Sequence, residues 1–403
     1  MSENGKILYV GGNGEGNYTS IQDAINDAKD GYTIYVYPGY YNESIVINKS
    51  ISLIGIVKNG QKPVIDGSGS TETIWVAVNN TSVKNFVIKN VRGSAGPHRG
   101  ILAARIYKLR NIHIENNTIF AAPPIVMSAN YSTIANNTII GRGDGILSSG
   151  FKNKIIFNNV SNCSKDKFSI AISVAGRYNM VYKNTIHNNS IGISCYGKYN
   201  NISYNIIYEN DVGIEIWEVF SPSSYNEIHD NFRYKCGKGI ELSASYNRIF
   251  KNNISSSDTG IGIYGGCYNL IENNTIYNNS WAGIEMDGSG EEINFPVRNN
   301  TIRYNKIVKN SRFFSIDGYC SNNYIIRNDF IDYGKLAGLV AEIYVPSKKI
   351  SIINKWDGNY WDDWNKPLPK PIKGYVCIHF SSFTDVYPFV VFDWHPSLQP
   401  NCS

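Results

Sequence analysis

Carboxylate residues recur at one fixed place in a repeated phrase of this sequence. Each phrase contains a Gly-Ile pair or a similar pair that ends in an apolar residue. Because side chains alternate along a strand, the apolar residue is predicted to point inward and the residue after it outward. In four phrases that residue is acidic: Glu215, Glu241, Glu285 and Asp317. Carboxylates this close raise one another's pKa, which suits general acid–base catalysis. Glycoside hydrolysis uses such a pair, so we predict that these four residues are catalytic.

Aromatic and polar residues flank the acidic positions and are predicted to bind substrate. Two residues beyond the outward position of their strands lie Trp217, Tyr264 and Asp287. Trp281 comes just before the Gly283-Ile284 pair, and a loop between coils contains His98 and Arg99. Aromatic rings beside carboxylates are typical of a groove that binds a polysaccharide or glycan. Two other interpretations stay open: a column that binds calcium, and a solvated surface balanced by Lys and Arg. Otherwise we expect no cofactor.

A nine-residue phrase, approximately Tyr-Asn-x-Ile-x-x-Asn-x-Ile, supplies the elements that would position these residues. It recurs nine times between about residues 110 and 330, in steps of 21 to 31 residues. That spacing is typical of one coil of a solenoid. Because a single coil cannot bury its apolar side, successive coils must stack. The sequence therefore predicts an all-β protein, a right-handed parallel β-helix.

The fourth residue of the phrase is predicted to stack in the core; five successive examples are Val181, Ile202, Ile228, Ile249 and Ile271. The seventh residue is Asn in every copy. We expect this Asn to adopt the left-handed backbone conformation that Asn tolerates. We also expect its side chain to form hydrogen bonds with the coils above and below.

The two ends of the repeat depart from the phrase, as the caps of a solenoid must. Residues 19–30 show a helical apolar stripe behind Thr19 or Ser20, which predicts a short N-terminal capping helix. After about residue 331 the Asn period stops and Trp and Pro become frequent. We therefore predict a β-helix over 1–330 and a C-terminal capping segment over 331–403.

Charge and hydropathy narrow the range of partners. The net charge of +5 is spread along the chain without a Lys/Arg cluster, which disfavours nucleic-acid binding. No segment approaches 18 apolar residues, so membrane insertion is not expected. The N-terminus lacks the apolar segment of a signal peptide, yet Asn-x-Ser/Thr sequons are frequent. We expect an extracellular or cell-surface location for a mature or trimmed form, and the oligomeric state stays open.

Three segments carry a resemblance to known families. The opening YTSIQDAINDAKDG and the strands after it resemble the start of pectin-lyase-like proteins, including pectin methylesterases. The Asn-Ile coils, GNYWDDW at 358–364 and FDWHP at 392–396 resemble the NosD-like family of carbohydrate-binding and sugar-hydrolysis β-helices, particularly its archaeal members. The resemblance implies the fold over nearly the whole chain. It leaves the activity open, because the group includes polysaccharide enzymes, surface proteins and copper-enzyme accessory proteins.

Catalytic motifs of related enzyme families do not appear in full. The Asp-Pro-His-Glu motif of alginate epimerases has its counterpart in Gly96-Pro97-His98-Arg99, which lacks both acids. Three hypotheses therefore stand. The chain is a carbohydrate-active or carbohydrate-binding protein, with hydrolase or lyase activity where it is an enzyme. Alternatively it is a non-catalytic surface, structural or adhesive protein. The third hypothesis is a NosD-like accessory protein for copper-enzyme maturation.

Overall fold

The computed structural model describes residues 6–90, 98–105, 108–163, 168–218, 224–288, 296–318, 320–332, 339–344, 354–379 and 383–402. The protein is an all-β, right-handed parallel β-helix with one short helix, as the repeat predicts. Each coil contributes one strand to each of three sheets, here called the first, second and third sheets in the order in which a coil visits them. The chain divides into two compact units, Met1–Ile193 and Ser194–Ser403.

In the first unit, neighbouring strands within each sheet are parallel. The first sheet contains Ile7–Val10, Thr33–Val36, Ser52–Gly55, Thr81–Lys84, Ile112–Glu115, Thr133–Ala135, Lys154–Ile156 and Met180–Tyr182. The second sheet contains Tyr40–Tyr41, Val64–Asp66, Val87–Lys89, Thr118–Ala121, Thr138–Gly141, Asn159–Ser161 and Thr185–His187. The third sheet contains Ile45–Ile47, Glu72–Val76, Arg99–Ala103, Ile125–Asn130, Ile146–Phe151 and Ile170–Arg177, with Leu109–Arg110 paired beside Ile125–Asn130. A further strand of the third sheet, Ile191–Lys198, contains residues of both units.

The second unit repeats the arrangement. Its first sheet contains Asn201–Ser203, Glu227–His229, Arg248–Phe250, Leu270–Glu272, Thr301–Arg303, Tyr324–Ile326 and Lys355–Asp357. Its second sheet contains Ile206–Tyr208, Phe232–Tyr234, Asn253–Ser255, Thr275–Tyr277, Lys306–Val308, Asp329–Ile331 and Tyr360–Trp361. Its third sheet contains Val212–Trp217, Lys238–Ser243, Thr259–Ile263, Ala282–Gly288, Phe314–Gly318, Leu339–Tyr344, Lys370–His379 and the antiparallel Thr384–Asp393. A small sheet is formed by Gly266–Cys267, Val297–Arg298 and Cys320–Ser321.

The fourth residue of the phrase lies in the core, as predicted. In the second unit, four of the five residues named above are fully buried and in register on neighbouring strands: Ile202, Ile228, Ile249 and Ile271. Val181 is fully buried in the first unit. Burying one such side chain contributes about 1.5–3 kcal/mol, so each copy of the phrase adds to the stability of the core.

The seventh residue of the phrase forms a buried ladder of Asn side chains. Asn252 shows the pattern: its Nδ2 donates to the Ile228 carbonyl and to Asn274 Oδ1, both at 2.9 Å. Its backbone N–H donates to the same Oδ1 at 3.0 Å. The ladder supplies partners for polar groups that burial would otherwise leave unsatisfied, and the hydrogen-bonding prediction is confirmed.

The prediction that these Asn residues adopt the left-handed conformation is wrong. The positive φ angle falls on the residue before the ladder Asn, as at Lys251, where φ is 52°. A second left-handed residue begins each phrase, as at Tyr246, where φ is 60°. The Asn itself is needed for its side-chain amide, and the turn of the backbone is made by its neighbour.

The N-terminal helix is shorter than predicted and spans Ile21–Asp27. Ser20 caps it, since its Oγ accepts a hydrogen bond from the Asp23 N–H at 3.3 Å. The helix buries Ile21, Ala24 and Ile25. It ends at Ala28, whose ψ of 157° is extended rather than helical.

The predicted end of the β-helix at residue 330 is too early. Lys355–Asp357 and Tyr360–Trp361 continue the first and second sheets in parallel register. The Asn ladder also continues, because Asn328 donates to Asn359 Oδ1 at 3.1 Å. It ends at Asp393, which is fully buried and accepts from Asn359 Nδ2 at 2.9 Å and from Trp361 Nε1 at 3.0 Å. Trp356 and Trp361 stand at the two inward positions of the phrase that are usually Ile, which conceals this last coil in the sequence.

Candidate functional site

Glycine and isoleucine fix the strands that carry the acidic residues. In two of these strands and in the strand between Glu241 and Glu285, a Cβ atom on the glycine would lie 2.4–2.5 Å from a carbonyl oxygen of the next coil; the residues are Gly213, Gly239 and Gly260. Only glycine allows this close approach. The isoleucine that follows points into the core, so strand alternation turns the next residue outward.

Three of the four predicted catalytic acids share one column. Glu215 and Glu241 are register partners on adjacent strands. Gly262 follows them in the column, and Glu285 comes next. Adjacent strands lie about 4.8 Å apart, which places the Glu215 and Glu241 backbones at that separation. We call Glu215, Glu241 and Glu285 with their contacting side chains the carboxylate face.

Asp317 does not belong to this column. Glu285 is paired with Ser315, whereas Asp317 is paired with Asp287, two residues further along the strand. The cause is Phe314, which occupies the inward position opposite Ile284 and is fully buried. The sequence analysis aligned Ile316 with Ile284, but in the structure Phe314 pairs with Ile284 and Ile316 pairs with Met286.

Glu215 is the most deeply buried of these acids, with 6% of its surface exposed. Its Oε1 accepts a 2.5 Å hydrogen bond from Ser194 Oγ and lies 3.5 Å from the Tyr196 hydroxyl. Burial raises the pKa of Glu215, and the negative charge of Glu241 raises it further, while the Ser194 and Tyr196 hydrogen bonds oppose the rise. Glu215 therefore has the environment of a carboxyl group that holds its proton at higher pH than usual.

Glu241 has a different environment from its neighbour. Lys238 Nζ forms an ion pair with Glu241 Oε2 at 3.1 Å. The same Nζ lies 4.0 Å from the centre of the Tyr264 ring, a cation–π contact that covers one face of that ring. Lys238 thus fixes the carboxylate and the aromatic side chain together.

Glu285 is held by three hydrogen-bond donors. The Tyr264 hydroxyl donates to Oε2 at 2.5 Å, Thr259 Oγ1 lies 3.3 Å from the same oxygen, and Trp281 Nε1 donates to Oε1 at 3.3 Å. Burial raises the pKa of Tyr264, and the charge of Glu285 raises it further. Tyr264 is therefore a stable hydrogen-bond donor, and Glu285 positions the two aromatic side chains.

The remaining predicted binding residues of the second unit lie beside these acids. Trp217 is 38% exposed and is paired with Ser243, while Asp287 is paired with Asp317. Arg312 lies 3.8 Å above the Trp281 ring, so one face of that ring is covered. A depression of about 480 Å³ adjoins the carboxylate face and is lined by Asp211, Val212, Gly237, Lys238, Asp258, Thr259, Ser280 and Trp281.

His98 and Arg99 belong to the first unit. Arg99 starts the strand Arg99–Ala103, which corrects the prediction that it lies in a loop. Its Nη1 pairs with Glu72 Oε1 at 2.8 Å, and His98 Nδ1 lies 3.2 Å from the Ser70 carbonyl oxygen. Gly96 and Pro97 lie outside the described residues. Local contacts within the first unit therefore account for the Arg99 side chain. His98 Nε2, by contrast, is buried and has no hydrogen-bond partner among the described residues.

Several residues of the carboxylate face escaped the sequence prediction: Tyr196, Lys238, Thr259 and Arg312. Lys238 lies three residues before Glu241, a spacing that regular strand alternation places on opposite faces, so the repeat gives no signal for this ion pair. The others depend on which rotamers the packed strands allow.

Comparison with known proteins identifies the family. A model described as periplasmic copper-binding protein (NosD) matches residues 25–231, more than half of the chain. The chain belongs to the NosD family. A right handed beta helix region model also matches residues 213–330.

Individual relatives match shorter parts of the chain. A probable pectinesterase/pectinesterase inhibitor of Arabidopsis thaliana is 33% identical over 107 residues, covering 23% of this chain and 19% of the relative. A cell surface glycoprotein of Methanothermus fervidus is 35% identical over 104 residues, covering 25% and 16%. The chain thus spans less than a fifth of the length of either relative. The solved structure of AlyGC, a PL6 family alginate lyase, matches with a TM-score of 0.50 and 16% identity, covering 79% of this chain and 51% of that one. This last similarity shows the fold alone.

The described residues do not fit the copper site that the family description names. Across the described ranges, no three His, Cys, Asp or Glu side chains are grouped so that they could hold a metal ion. Copper favours imidazole and thiolate ligands, but burial raises the pKa of the Cys163 and Cys195 thiols to about 12.

Within the same described ranges, no helix has the length and apolar character needed to cross a membrane.

Proposed function

We propose that this NosD-family protein is a carbohydrate-active β-helix protein, and that its carboxylate face binds a polysaccharide and hydrolyses its glycosidic bonds. One observation carries the proposal. Glu215 and Glu241 are adjacent register partners with unlike environments, one buried beside hydroxyl groups and the other paired with a lysine. Pairs of carboxyl groups in unlike environments are the usual basis of acid and base roles.

The environments assign the roles. Glu215 is the general acid, because burial favours its protonated form. Its Oε2 accepts no hydrogen bond from the described residues and so is available to a leaving-group oxygen. Glu241, in its ion pair with Lys238, is the base or nucleophile. Carboxyl groups about 5–5.5 Å apart favour retention of configuration at the sugar carbon, and larger separations favour inversion.

Substrate contacts follow from the same face. The exposed Trp217 ring offers a surface for a sugar, while Trp281 and Tyr264 are held against Glu285. Asp287 and Asp317 supply further oxygen acceptors along the next column. These contacts support recognition of a glycan that runs across the coils, parallel to the column of acids.

A panel of polysaccharides tests the proposal. Reducing ends report hydrolysis, and absorbance of unsaturated products reports lyase chemistry. On the substrate that turns over, Glu241→Gln and Glu215→Gln should each lower the rate about 10²–10⁴-fold. Glu227→Gln is the matched control, because Glu227 is an exposed residue of the first sheet. Full activity of Glu241→Gln would show that this column does not carry the reaction. Binding without turnover would favour a non-catalytic glycan-binding protein.

We also propose an extracellular or cell-surface location. The name of the Methanothermus relative places that protein at a cell surface, and the family description is of a periplasmic protein. A polysaccharide substrate suits the same location. Fractionation of the source cells, with immunodetection of the protein in the envelope and cytosolic fractions, checks this part of the proposal.

A further inference from the structure

A second aromatic site lies near the C-terminus, on the first-sheet side of the second unit. It is a cleft of about 440 Å³ lined by Asn322, Tyr324, Asn354, Lys355, Trp356, Asp357, Phe392, Trp394 and His395. We call it the C-terminal cleft. None of its residues belongs to the carboxylate face.

The FDWHP motif builds one wall of the cleft by strand alternation. Asp393 points inward, is fully buried and ends the Asn ladder. The residues on either side, Phe392 and Trp394, therefore point outward. Their ring centres lie 5.4 Å apart, and the side chains are 39% and 62% exposed. The buried Asp393 anchors the backbone between two rings that stay largely open to solvent.

Polar groups line the opposite edge. His395 Nδ1 pairs with Asp357 Oδ1 at 2.7 Å, and Lys355 Nζ lies 3.8 Å from Asp357 Oδ2. Tyr324, opposite Lys355 in register, is 44% exposed. The cleft thus combines open aromatic rings with a carboxylate, an imidazole and an ammonium group.

This combination matches one class of ligand. The C–H faces of a pyranose ring pack on aromatic rings, whose faces carry negative potential. The hydroxyl groups of the sugar then find charged donors and acceptors at the edge of the ring.

We propose that the C-terminal cleft is a glycan-binding site for a pyranose unit of a polysaccharide, separate from the carboxylate face. This inference does not rest on the proposed hydrolase activity, because it needs only binding. Where both hold, the cleft anchors the chain to its polysaccharide.

The test measures binding and turnover separately. The full chain is titrated by calorimetry with oligosaccharides from pectin, alginate, xylan, cellulose, mannan and chitin. Trp394→Ala should weaken binding of at least one of them about tenfold or more, the loss of one aromatic contact. Tyr387→Ala is the matched control, since Tyr387 is an exposed aromatic residue of the same hairpin outside the cleft. Glu241→Gln should retain the binding that depends on Trp394.

Three other results would overturn the inference. Absence of binding to every oligosaccharide would do so, as would binding that Trp394→Ala leaves unchanged. Self-association that Trp394→Ala abolishes, measured by sedimentation, would identify a second copy of the chain as the occupant instead. Loss of turnover in Glu241→Gln without loss of this binding would leave both proposals standing, so their failures can be told apart.

Discussion

The outer face of the third sheet differs between the two units, although the inner face is alike. In the first unit, the outward residues that follow the core isoleucines are mainly apolar: Val46, Trp75, Leu102, Val126, Leu147 and Ser173. In the second unit the corresponding residues are Glu215, Glu241, Gly262, Glu285 and Ser315. The inward residue that directly precedes each of these positions is Ile in both units, apart from Phe314. The stability of the coil depends on its inward residues, so the outward positions can vary and can carry polar or catalytic side chains.

The largest effect should come from placing a charge on the inward side. Ile240 is fully buried, whereas Glu241, the next residue, faces outward. Ile240→Asp should lower the free energy of unfolding by about 4 kcal/mol or more, because it buries an unpaired charge. Glu241→Gln should change it by less than about 1 kcal/mol, because the ion pair with Lys238 lies at the surface and is partly open to solvent. Chemical denaturation followed by circular dichroism compares them, and similar losses would contradict the inward and outward assignment.

Arg233 interrupts an inward column that is otherwise apolar. It lies between Ile207 and Ile254 in register, is fully buried, and none of its three guanidinium nitrogens has a hydrogen-bond partner among the described residues. Arg233→Met, which has a similar length, should raise the free energy of unfolding by about 1–4 kcal/mol. Arg248→Met is the control and should be destabilising, because Arg248 donates two hydrogen bonds to Glu272.

The pH dependence of stability in the wild type and in Arg233→Met provides a second test of the buried charge. Burial lowers the pKa of Arg233 to about 9. Above that pH the folded chain binds fewer protons than the unfolded chain, so the wild type gains stability as pH rises. The advantage of Arg233→Met should therefore shrink above about pH 9 in thermal melts. A constant difference would show that Arg233 is not a buried cation.

The sequence predicts most of the fold because the repeat is regular. The phrase positions that Ile249 and Asn252 occupy recur at regular spacing, and stacking of the coils places equivalent positions above one another. Asp317 was misplaced because Phe314 substitutes for an isoleucine. Arg233 occupies the ninth position of its phrase, which is usually Ile, so its inward placement follows from the same repeat.

Contacts between distant side chains could not be predicted from spacing. Asp393 ends a ladder whose last Asn lies 34 residues earlier, and nothing in a local pattern links the two. The contact of Lys238 with the Tyr264 ring depends on the gap above Gly262. The sequence therefore predicts the position of each residue in its coil, whereas the contacts of the outward side chains can be identified only in the packed structure.

Gly262 leaves the gap in the carboxylate face that Tyr264 fills. A Cβ atom at Gly262 would lie 2.3 Å from Tyr264 Cε2, so Gly262→Ala must displace the ring. The displacement breaks the Tyr264–Glu285 hydrogen bond, and we expect a loss of about 1–2 kcal/mol. In the Tyr264→Phe background, which lacks that bond, Gly262→Ala should cost less. Fully additive losses in denaturation would show that the two residues are not coupled.

The smallest expected effect is the pH dependence of Glu215. Its pKa is raised above the ordinary value of 4.5, chiefly by burial. The folded chain therefore holds this proton to higher pH than the unfolded chain does, and stability that is fully present below about pH 4.5 is lost as pH rises through the raised pKa. Glu215→Gln has no such proton, and its amide oxygen can still accept from Ser194. Its melting temperature relative to the wild type should therefore increase from about pH 4 towards neutral pH. A difference that stays flat would mean that Glu215 ionises as freely as an exposed glutamate, and the general-acid assignment would lose its physical basis.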